Sequence, residues 1–363
     1  MPPFLVNSMK IKILHQYHNN MLDTYRALAQ GNDVEFLSHR ISKLIPGISN
    51  RAPLMWGRPA FMYQPRSLWS LLKGADVVVL KHINNPLNIL PLLFAPILGY
   101  RPVVIVQRIS HRSFPGYRVL WQLMITWLNV LRADVICVTS PSYQHLKPRI
   151  RRISYLPAAI DAARFELAAF PPQETLRVLT VGKWQPRKQL PTLLQAIGLL
   201  KNKYPKLQLQ LTIIANQTSH PTSKREYELA QQLVDSLQLR DSIQIIADVG
   251  YEDMAALYAT SHLFILPARH EPLGYAVVEA MAAGLPVIVS EDAGAASYVR
   301  RGETGYLSSA SSPEDIVASI ERFLVDGLVN WPLLEEMGHR GRADVFRGHS
   351  AVRWVEYLEK VTK

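Results

Sequence analysis

Short runs of β-branched and other apolar residues recur along the chain, separated by longer amphipathic stretches. Several runs are continuous rather than alternating, and a continuously apolar strand is buried on both faces, as in a parallel sheet covered by helices. Strands that alternate with helices in this way predict doubly wound α/β units. The runs are residues 11–14, 77–80, 103–106, 135–138, 178–181, 211–214, 243–246, 263–266 and 286–289.

The strands form two sets, which predicts two domains. A length of 363 residues exceeds the usual ~100 to 200 residues of one domain, and 48% hydrophobic residues suffice for two cores. Ligands of doubly wound sheets bind at the carboxyl ends of the strands, so two Rossmann-like domains are expected to face a central cleft. The predicted parts are an N-terminal domain over 1–160, a linker over 161–176 that contains Pro171 and Pro172, a second domain over 177–345, and a closing helix over 346–363.

Positive charge is concentrated in the first half of the chain. The formal net charge is +11, yet residues 1–152 carry 19 Lys and Arg against 5 Asp and Glu, whereas residues 153–363 carry 21 against 24. A net charge of +14 in one half indicates an anionic partner, which the sum alone leaves as nucleic acid, a membrane surface or a phosphorylated substrate. No nucleic-acid-binding motif is visible, so nucleic acid is not expected.

The cysteine count and the apolar segments indicate the compartment. Cys137 is the only cysteine, which excludes an intrachain disulfide and a cysteine-based metal site and suits a reducing cytoplasm. The N-terminus has no basic stretch followed by an apolar core, as a secretory signal would. The apolar segment 87–106 is interrupted by three prolines, a glycine and Arg101, so we predict a short helix and a buried strand there rather than a membrane span.

The segment 263–290, LFILPARHEPLGYAVVEAMAAGLPVIVS, carries the clearest chemistry. A helix is predicted over about 273–283, directly after the carboxyl end of a strand. The backbone amides of Leu273, Gly274 and Tyr275, together with the helix dipole, would form a site for phosphate or another anion. Gly274 has no side chain to block close approach.

Two carboxylates, Glu271 and Glu279, flank this turn. Carboxylates beside an anion site are better suited to accept hydrogen bonds from sugar hydroxyls than to bind phosphate. The alternative is an acid that stabilises its helix dipole at 271 and a solvated helix residue at 279. For Glu279 that alternative is disfavoured, because VVEAMAAG is apolar all round and would bury the charge without a partner.

Cations are predicted beside the same turn. Lys183 and Lys188 follow a strand that ends at Gly182, in a loop expected to face the same cleft. Two cations beside a helix N-terminus can neutralise a diphosphate, both when it is bound and as the glycosidic bond to it breaks. Solvated surface lysines are the alternative, and the adjacent Arg187 could take the place of either lysine.

These segments resemble glycosyltransferase family 4, the glycosyl transferases group 1, whose members have the GT-B fold and use nucleotide-sugar donors with retention. The 263–290 segment resembles the E-x7-E motif of that family. VGKWQPRKQLPTLLQAIGLL at 181–200 resembles its G-R-L-x-x-x-K-G motif, YLPAAIDAARF at 155–165 its interdomain motif, and ADVVVLKHINNP at 75–86 a strand of its N-domain. The resemblance spans roughly residues 75–325.

The resemblance implies roles for individual residues. Glu279 would bind the ribose hydroxyls, Glu271 and the backbone of 273–275 the donor sugar, and Lys188 the diphosphate; the nucleobase would lie near Val249. The active-site His of the family is replaced at its aligned position by Gln107 or Arg108. His111 is the nearest candidate, with His18 and His82 behind it, and a structural role stays open for each.

The expected function is the transfer of a sugar from a nucleotide-sugar donor to a glycan acceptor, or to a lipid-linked or otherwise anionic one. There is no Asp-x-Asp and no His/Glu cluster at ligand spacing, so neither a metal nor another cofactor is expected. The resemblance implies that cationic side chains and helix amides bind the diphosphate instead. Two alternatives stay open: a GT-B nucleotide-sugar epimerase, and a non-catalytic basic binding protein.

Residues 101–121 interleave arginines with aromatic residues, which suits an anionic bilayer surface. The following sequence VLWQLMITWLNVL is strongly apolar and is interpreted either as a membrane-dipping face or as a buried helix. We therefore expect a cytoplasmic protein with peripheral attachment to the inner membrane face. The residues concerned are Arg101, Arg108, Arg112, Arg118, Phe114, Tyr117 and Trp121.

Overall fold

The chain divides into two compact units. In a computed structural model the first unit comprises Met1–Ile160 and His349–Lys363, and the second Asp161–Gly348. The structure describes residues 8–14, 22–29, 31–37, 48–51, 55–56, 62–83, 86–107, 117–170, 175–216, 220–250 and 253–362.

The first unit is built on a parallel seven-stranded sheet in the order β3-β2-β1-β6-β7-β8-β9, and a separate two-stranded ribbon, β4-β5, is antiparallel. The strand order reverses between β1 and β6. The strands are β1 (Lys10–Leu14), β2 (Asp33–Leu37), β3 (Ser49–Arg51), β4 (Met55–Trp56), β5 (Met62–Tyr63), β6 (Val77–Lys81), β7 (Arg101–Val106), β8 (Asp134–Cys137) and β9 (Ile153–Tyr155). The helices are α1 (Leu22–Ala29), α2 (Pro65–Leu72), α3 (Ile89–Leu98), α4 (Tyr117–Val130) and α5 (Ser140–Leu146).

The second unit contains a parallel six-stranded sheet in the order β12-β11-β10-β13-β14-β15 and a small antiparallel pair, β16-β17. Its strands are β10 (Thr175–Lys183), β11 (Gln208–Asn216), β12 (Ile243–Ile246), β13 (Leu263–Leu266), β14 (Val287–Ser290), β15 (Gly305–Ser308), β16 (Leu324–Val325) and β17 (Leu328–Val329). Its helices are α6 (Leu190–Lys203), α7 (Pro221–Ser236), α8 (Met254–Ala259), α9 (Tyr275–Ala282), α10 (Pro313–Glu321) and α11 (Trp331–Gly348).

The doubly wound α/β class is confirmed, and a strand occurs at each of the nine predicted apolar runs. Four sheet strands were missed. In β2 the polar Glu35 interrupts the apolar run, and its buried carboxylate is paired with Lys12 and Arg51. The strands β3, β9 and β15 have three to four residues and no continuous apolar run.

Residues 161–170, predicted as part of a linker, group with the second unit. Phe165 is fully buried, and Ala168 N donates to Ala283 O at 2.8 Å. At the other end of the chain, α11 continues to Gly348 and a last helix, α12 (Ala351–Thr362), groups with the first unit. Its Trp354 Nε1 donates to Pro157 O at 2.9 Å, which ties the closing helix to the end of the first unit.

The apolar segment 87–106 forms α3 and β7, a helix followed by a buried strand as predicted. Within the described parts of the chain, none of the helices has both the length and the apolar character that crossing a bilayer requires.

Candidate functional site

The candidate site lies at the carboxyl edge of the sheet in the second unit, where the strand order reverses between β10 and β13. Loops that leave two such strands diverge, and the space between them is where doubly wound sheets bind ligands. The β10 loop carries Gly182, Lys183 and Lys188, and the β13 loop carries Glu271 to Tyr275. The topology therefore brings together two segments that are about 80 residues apart in the sequence.

One carboxylate and two cations form the centre of the site. Lys188 Nζ donates to Glu271 Oε2 at 2.7 Å, and Arg187 Nη1 donates to the same oxygen at 2.5 Å. Both cations belong to a single 3₁₀ turn, Pro186–Lys188. Arg269 N donates to Arg187 O at 2.7 Å, so backbone as well as side chains hold the two loops together. Lys188 is only 9% exposed, which is unusual for a lysine.

The charges in this cluster set the ionisation of one another. Burial alone would raise the pKa of Glu271, but the charges and hydrogen bonds of Lys188 and Arg187 outweigh it and hold that pKa below its ordinary value. Burial lowers the pKa of Lys188, and the pairing with Glu271 offsets part of that effect. With Lys183, the loops after β10 and β13 bring three cations around the single carboxylate of Glu271.

Gly182 and Gly274 lie beside side chains of the site. The stem of Lys188 runs along Gly182, where a Cβ would lie 3.4 Å from Lys188 Cδ, an ordinary van der Waals contact. Gly274 has φ +91°, in the left-handed region, and precedes the first residue of α9. The helix therefore begins at Tyr275 rather than at Leu273 as predicted, because a left-handed residue cannot continue a right-handed helix.

A third loop, which sequence analysis missed, supports the backbone of residues 271–273. Gly294 N donates to Glu271 O at 3.0 Å, and Ala295 N donates to Leu273 O at 2.6 Å. A Cβ at Gly294 would overlap the carbonyl oxygen of Pro272 and lie 3.0 Å from Leu273 Cα. A single glycine after β14 carries no signal in the sequence that would reveal this approach.

Glu279 has a partner in the neighbouring helix α8. Tyr258 Oη donates to Glu279 Oε2 at 2.8 Å, and Tyr258 itself is fully buried. Burial, and secondly the charge of Glu279, raise the pKa of Tyr258 well above its ordinary value, so the phenol stays protonated and donates. The expectation that the apolar helix would bury Glu279 without a partner is therefore corrected, because the partner lies 21 residues away in the sequence.

Val249 lies on the loop after β12, two strands away from β10. At the usual spacing of strands this separation is about 10 Å. The loop is tied to the neighbouring strand end, because Asp248 N donates to Asn216 Oδ1 at 3.1 Å. Of the other predicted site residues, His111 lies outside the described residues, as do His18 and Arg108. No cluster of three or more His, Cys, Asp or Glu side chains suited to a metal ion occurs in the described part of the chain.

Sequence comparison identifies the family of the second unit. Residues 164–344 match the family described as Glycosyl transferases group 1. Through this region the chain belongs to that family, as the motifs implied.

Among the similar sequences, the D-inositol 3-phosphate glycosyltransferase of Streptomyces scabiei is 30% identical over 152 residues, or 42% of this chain and 34% of that protein. That of Streptomyces coelicolor is 30% identical over 177 residues, or 49% of this chain and 37% of that protein. The matched segments thus span about a third of the length of these relatives.

Solved structures share the fold over nearly the whole chain. A glycosyltransferase from Rickettsia africae has a TM-score of 0.80 at 15% identity, covering 99% of this chain and 98% of that one. Sucrose-phosphate synthase from Thermosynechococcus elongatus has a TM-score of 0.76 at 17% identity, covering 97% of this chain and 99% of that one. Anabaena Alr3699/HepE, in complex with UDP and glucose, has a TM-score of 0.75 at 16% identity, covering 97% of this chain and 99% of that one. At these identities the likeness defines the fold alone, which is GT-B.

Proposed function

We propose that the chain is a glycosyltransferase that moves a sugar from a nucleotide-sugar donor to an acceptor, with retention and without a metal ion. The observation that carries this proposal is the Lys188–Glu271–Arg187 cluster, at the switch point of the second sheet and next to the first turn of α9. The family of the second unit supports it, as do the UDP and UDP-glucose bound to the Anabaena protein of the same fold.

The donor would span the carboxyl edge of the second sheet. Its diphosphate would lie against Lys183, Lys188 and the amides that open α9, its ribose against Glu279, and its base toward Val249. The distance of about 10 Å between the ends of β10 and β12 suits a nucleotide laid across them. Glu271 would hold the two cations in place and accept hydrogen bonds from hydroxyls of the donor sugar.

The groups that bind the diphosphate would also stabilise it as it leaves. Negative charge grows on the leaving diphosphate as the glycosidic bond breaks, and Lys188 together with the dipole of α9 would stabilise that charge. An oxygen of the leaving diphosphate would take the proton of the acceptor hydroxyl, so that transfer needs no separate base. His111 is the nearest candidate in the sequence for the active-site His of the family, on the acceptor side.

Thermal unfolding with a panel of nucleoside diphosphates and their sugars tests the proposal. A ligand at 100 times its dissociation constant stabilises the folded state by about 2.7 kcal/mol, which shifts the melting temperature by a few degrees. We expect one base to give this shift, and Glu279→Ala to abolish it. The matched control is Glu228→Ala on the exposed face of α7. If no ligand gives a shift and Glu279→Ala behaves as wild type, the proposal fails.

Product analysis separates transfer from the alternative of epimerisation. A glycosyltransferase releases the nucleoside diphosphate and needs an acceptor or water to do so. An epimerase would interconvert two nucleotide sugars without releasing the nucleotide. The protein is incubated with nucleotide sugars that carry the base identified by thermal unfolding. Chromatography of the products then shows either free nucleoside diphosphate or a second nucleotide sugar.

Tyr258→Phe is expected to weaken binding of the nucleoside diphosphate about two- to tenfold, because Glu279 keeps its own contact with the ribose and loses only the hydrogen bond that positions it. The substitution keeps the buried ring and removes only the hydroxyl that donates to Glu279. Titration calorimetry measures the effect, and Tyr227→Phe on α7 is the control for removal of a phenol hydroxyl. Unchanged affinity in Tyr258→Phe would mean that this hydrogen bond does not position Glu279 for the nucleotide.

The proposed acceptor is anionic or lipid-linked. The net charge of +14 in residues 1–152 favours a negatively charged molecule. The name of one relative points the same way, since D-inositol 3-phosphate carries a phosphate group.

We also propose that the first unit attaches to an anionic membrane surface through α3 and α4. Large apolar side chains on both helices face solvent, among them Ile97 (67% exposed), Val119 (63%) and Leu123 (62%). An apolar groove lies between the helices, lined by Ile89, Leu92, Leu93, Leu123, Met124 and Trp127. The sequence between Asp76 and Asp134, which contains both helices, has no acidic residue but six Lys and Arg, a charge that suits an anionic lipid surface.

Leu123→Glu is expected to lower binding to phosphatidylglycerol vesicles by about tenfold or more, since burial of one leucine contributes about 1.5–3 kcal/mol. Leu229→Glu on α7 is the matched control, because Leu229 is also an exposed helix leucine but lies in the second unit. Cosedimentation at low salt measures both variants. Equal and poor binding of the wild type to phosphatidylglycerol and phosphatidylcholine vesicles would rule the attachment out.

A further inference from the structure

A lysine at the carboxyl edge of the first sheet has no ion-pair partner among the described residues. Lys81 is the last residue of β6 and is half-buried. Burial lowers its pKa to about 8, with no carboxylate to offset the effect. Its position is the switch point of this sheet, where the strand order reverses between β1 and β6.

The described carboxylates of the first sheet lie at its opposite edge or already have partners. Asp134 opens β8 and is paired with Arg101 and Arg152, and Asp76 accepts a hydrogen bond from Lys10 N at 2.7 Å just before β6. Glu35, within β2, is paired with Lys12 and Arg51. None of these side chains neutralises Lys81.

The loops at this edge carry no acidic residue. The segments that follow the carboxyl ends of β1, β2, β6, β7 and β8 contain no Asp or Glu: they are residues 15–21, 38–47, 82–88, 107–116 and 138–142. A partly buried cation is costly unless an anion pairs with it. Within two residues of these loops only Asp23, in the first turn of α1, is acidic. The loops themselves supply no anion and none of the described carboxylates pairs with Lys81, so a ligand is the expected source of the counter-charge.

The backbone after Lys81 is held in an uncommon conformation. His82 has φ +62°, in the left-handed region. Its N donates to Ile105 O at 2.8 Å, while the buried Asn88 Nδ2 donates to the carbonyl oxygens of His82 at 2.6 Å and of Lys81 at 3.2 Å. Such conformations are kept where the surroundings enforce them, and they cluster at binding sites. Burial, and secondly Lys81, lower the pKa of His82 to about 4, so His82 is neutral at pH 7.

A buried amide on the next strand end lacks an acceptor. Gln107 follows β7, the neighbour of β6, and is 2% exposed; its Nε2 has no hydrogen-bond partner among the described residues. The backbone carbonyl of Gln107 has a partner, since Thr139 Oγ1 donates to Gln107 O at 3.1 Å. A buried donor without an acceptor is destabilising, and a ligand oxygen would satisfy it.

We propose that Lys81 and Gln107 form a binding site for a phosphate group. In naming that phosphate as part of the acceptor, the inference rests on the proposed function. Phosphate oxygens accept hydrogen bonds from both the ammonium and the amide, and the phosphate supplies the missing negative charge. The phosphate belongs either to a soluble phosphorylated acceptor or to the headgroup of a lipid.

Nuclear magnetic resonance of the full chain labelled with ¹³C-lysine tests the site with inorganic phosphate. The Lys81 side-chain resonance is assigned from its loss in Lys81→Met. We expect it to shift saturably with phosphate and not with chloride at equal ionic strength, while the exposed Lys73 of the same unit does not respond. No shift at Lys81, or an equal shift with chloride, overturns the proposal.

Two variants measure the contributions to phosphate affinity. Lys81→Met is expected to weaken binding of glycerol phosphate about 10- to 100-fold, and Gln107→Leu about two- to tenfold, the ranges for a charged and a neutral hydrogen bond. Lys73→Met is the control and should bind as wild type. Gln107→Leu keeps the backbone carbonyl that Thr139 contacts and removes only the unpartnered amide. Wild-type affinity in Lys81→Met overturns the proposal.

Vesicle binding separates the two sources of phosphate. Loss of glycerol phosphate binding alone in Lys81→Met supports a soluble acceptor, and a parallel loss with phosphatidylglycerol vesicles supports a lipid headgroup. Binding of the nucleoside diphosphate to Lys81→Met shows that the variant is folded and keeps this result independent of the donor half. If the Lys81 resonance responds to phosphate but no nucleotide binds, the proposed function fails while the phosphate site stands.

Discussion

Lys188→Met is expected to lower the turnover of sugar transfer about 10²- to 10³-fold, the usual effect of removing one electrostatic contact to a developing negative charge. Methionine keeps most of the apolar stem that packs along Gly182 and removes the ammonium. Because the lost interaction is stronger in the transition state than with bound donor, the decrease should appear mainly in kcat. Steady-state kinetics measure this decrease in kcat, with a nucleotide sugar that carries the base identified by thermal unfolding.

The stability of this variant should change less than its activity. Removing one partner of a buried ion pair costs about 3–5 kcal/mol when the other charge is left unpaired. Here Arg187 Nη1 still donates to Glu271 Oε2, so the carboxylate keeps one cation and the loss should lie below that range. Urea unfolding of Lys188→Met and wild type tests this point separately from turnover.

Two further variants show whether a loss of turnover in Lys188→Met comes from its position in the site. Lys224→Met on α7 is the control, because the Lys224 side chain is 80% exposed and lies outside the site. Arg187→Met should have a smaller effect than Lys188→Met, since the Arg187 side chain is 41% exposed and solvent screens its charge. Turnover of Lys188→Met within about threefold of wild type would show that the ammonium does not act on the leaving group.

The fold was predictable where burial on both faces leaves a continuous apolar run. The strand β13 has the predicted limits. The strand β10 is longer than its apolar centre, because its outer residues, among them Thr175, Arg177 and Lys183, are paired with β11 although they are polar. Short length, β-branched residues and a continuous apolar run together indicate such a buried strand. Glu35 in β2 is stabilised by Lys12 and Arg51, and a strand that depends on partners from other segments has no local signature.

The part of the candidate site that lies within one continuous segment could be predicted from the sequence. The sequence around 263–290 identified Glu271 and Gly274 because a helix that opens after a strand, with a glycine at its start, is a local pattern. The sharing of Glu271 by Arg187 and Lys188 depends on two loops 83 and 84 residues apart, and no spacing rule reaches that far. The same is true of Tyr258, which donates to a carboxylate in another helix.

Gly294→Ala is expected to lower the free energy of unfolding by about 1–3 kcal/mol, the usual cost of overpacking, and to lower turnover as well. The added methyl group would overlap Pro272 O and approach Leu273 Cα, so the backbone that leads into α9 must move. This backbone positions Glu271 and the amides that open α9. A displacement of about 1 Å at such a site can cost about 100-fold in rate.

Gly302→Ala separates stability from function. Gly302 has φ +79° and open space around its ideal Cβ position, so alanine there costs about 1–2 kcal/mol for the left-handed backbone without any clash. Both variants should therefore unfold at lower urea concentration than wild type, but only Gly294→Ala should lose turnover and nucleotide affinity. If Gly294→Ala keeps wild-type affinity and turnover, the loop after β14 does not position the donor site. The result then bears on the loop alone, because Lys188 and Glu279 are tested by their own substitutions.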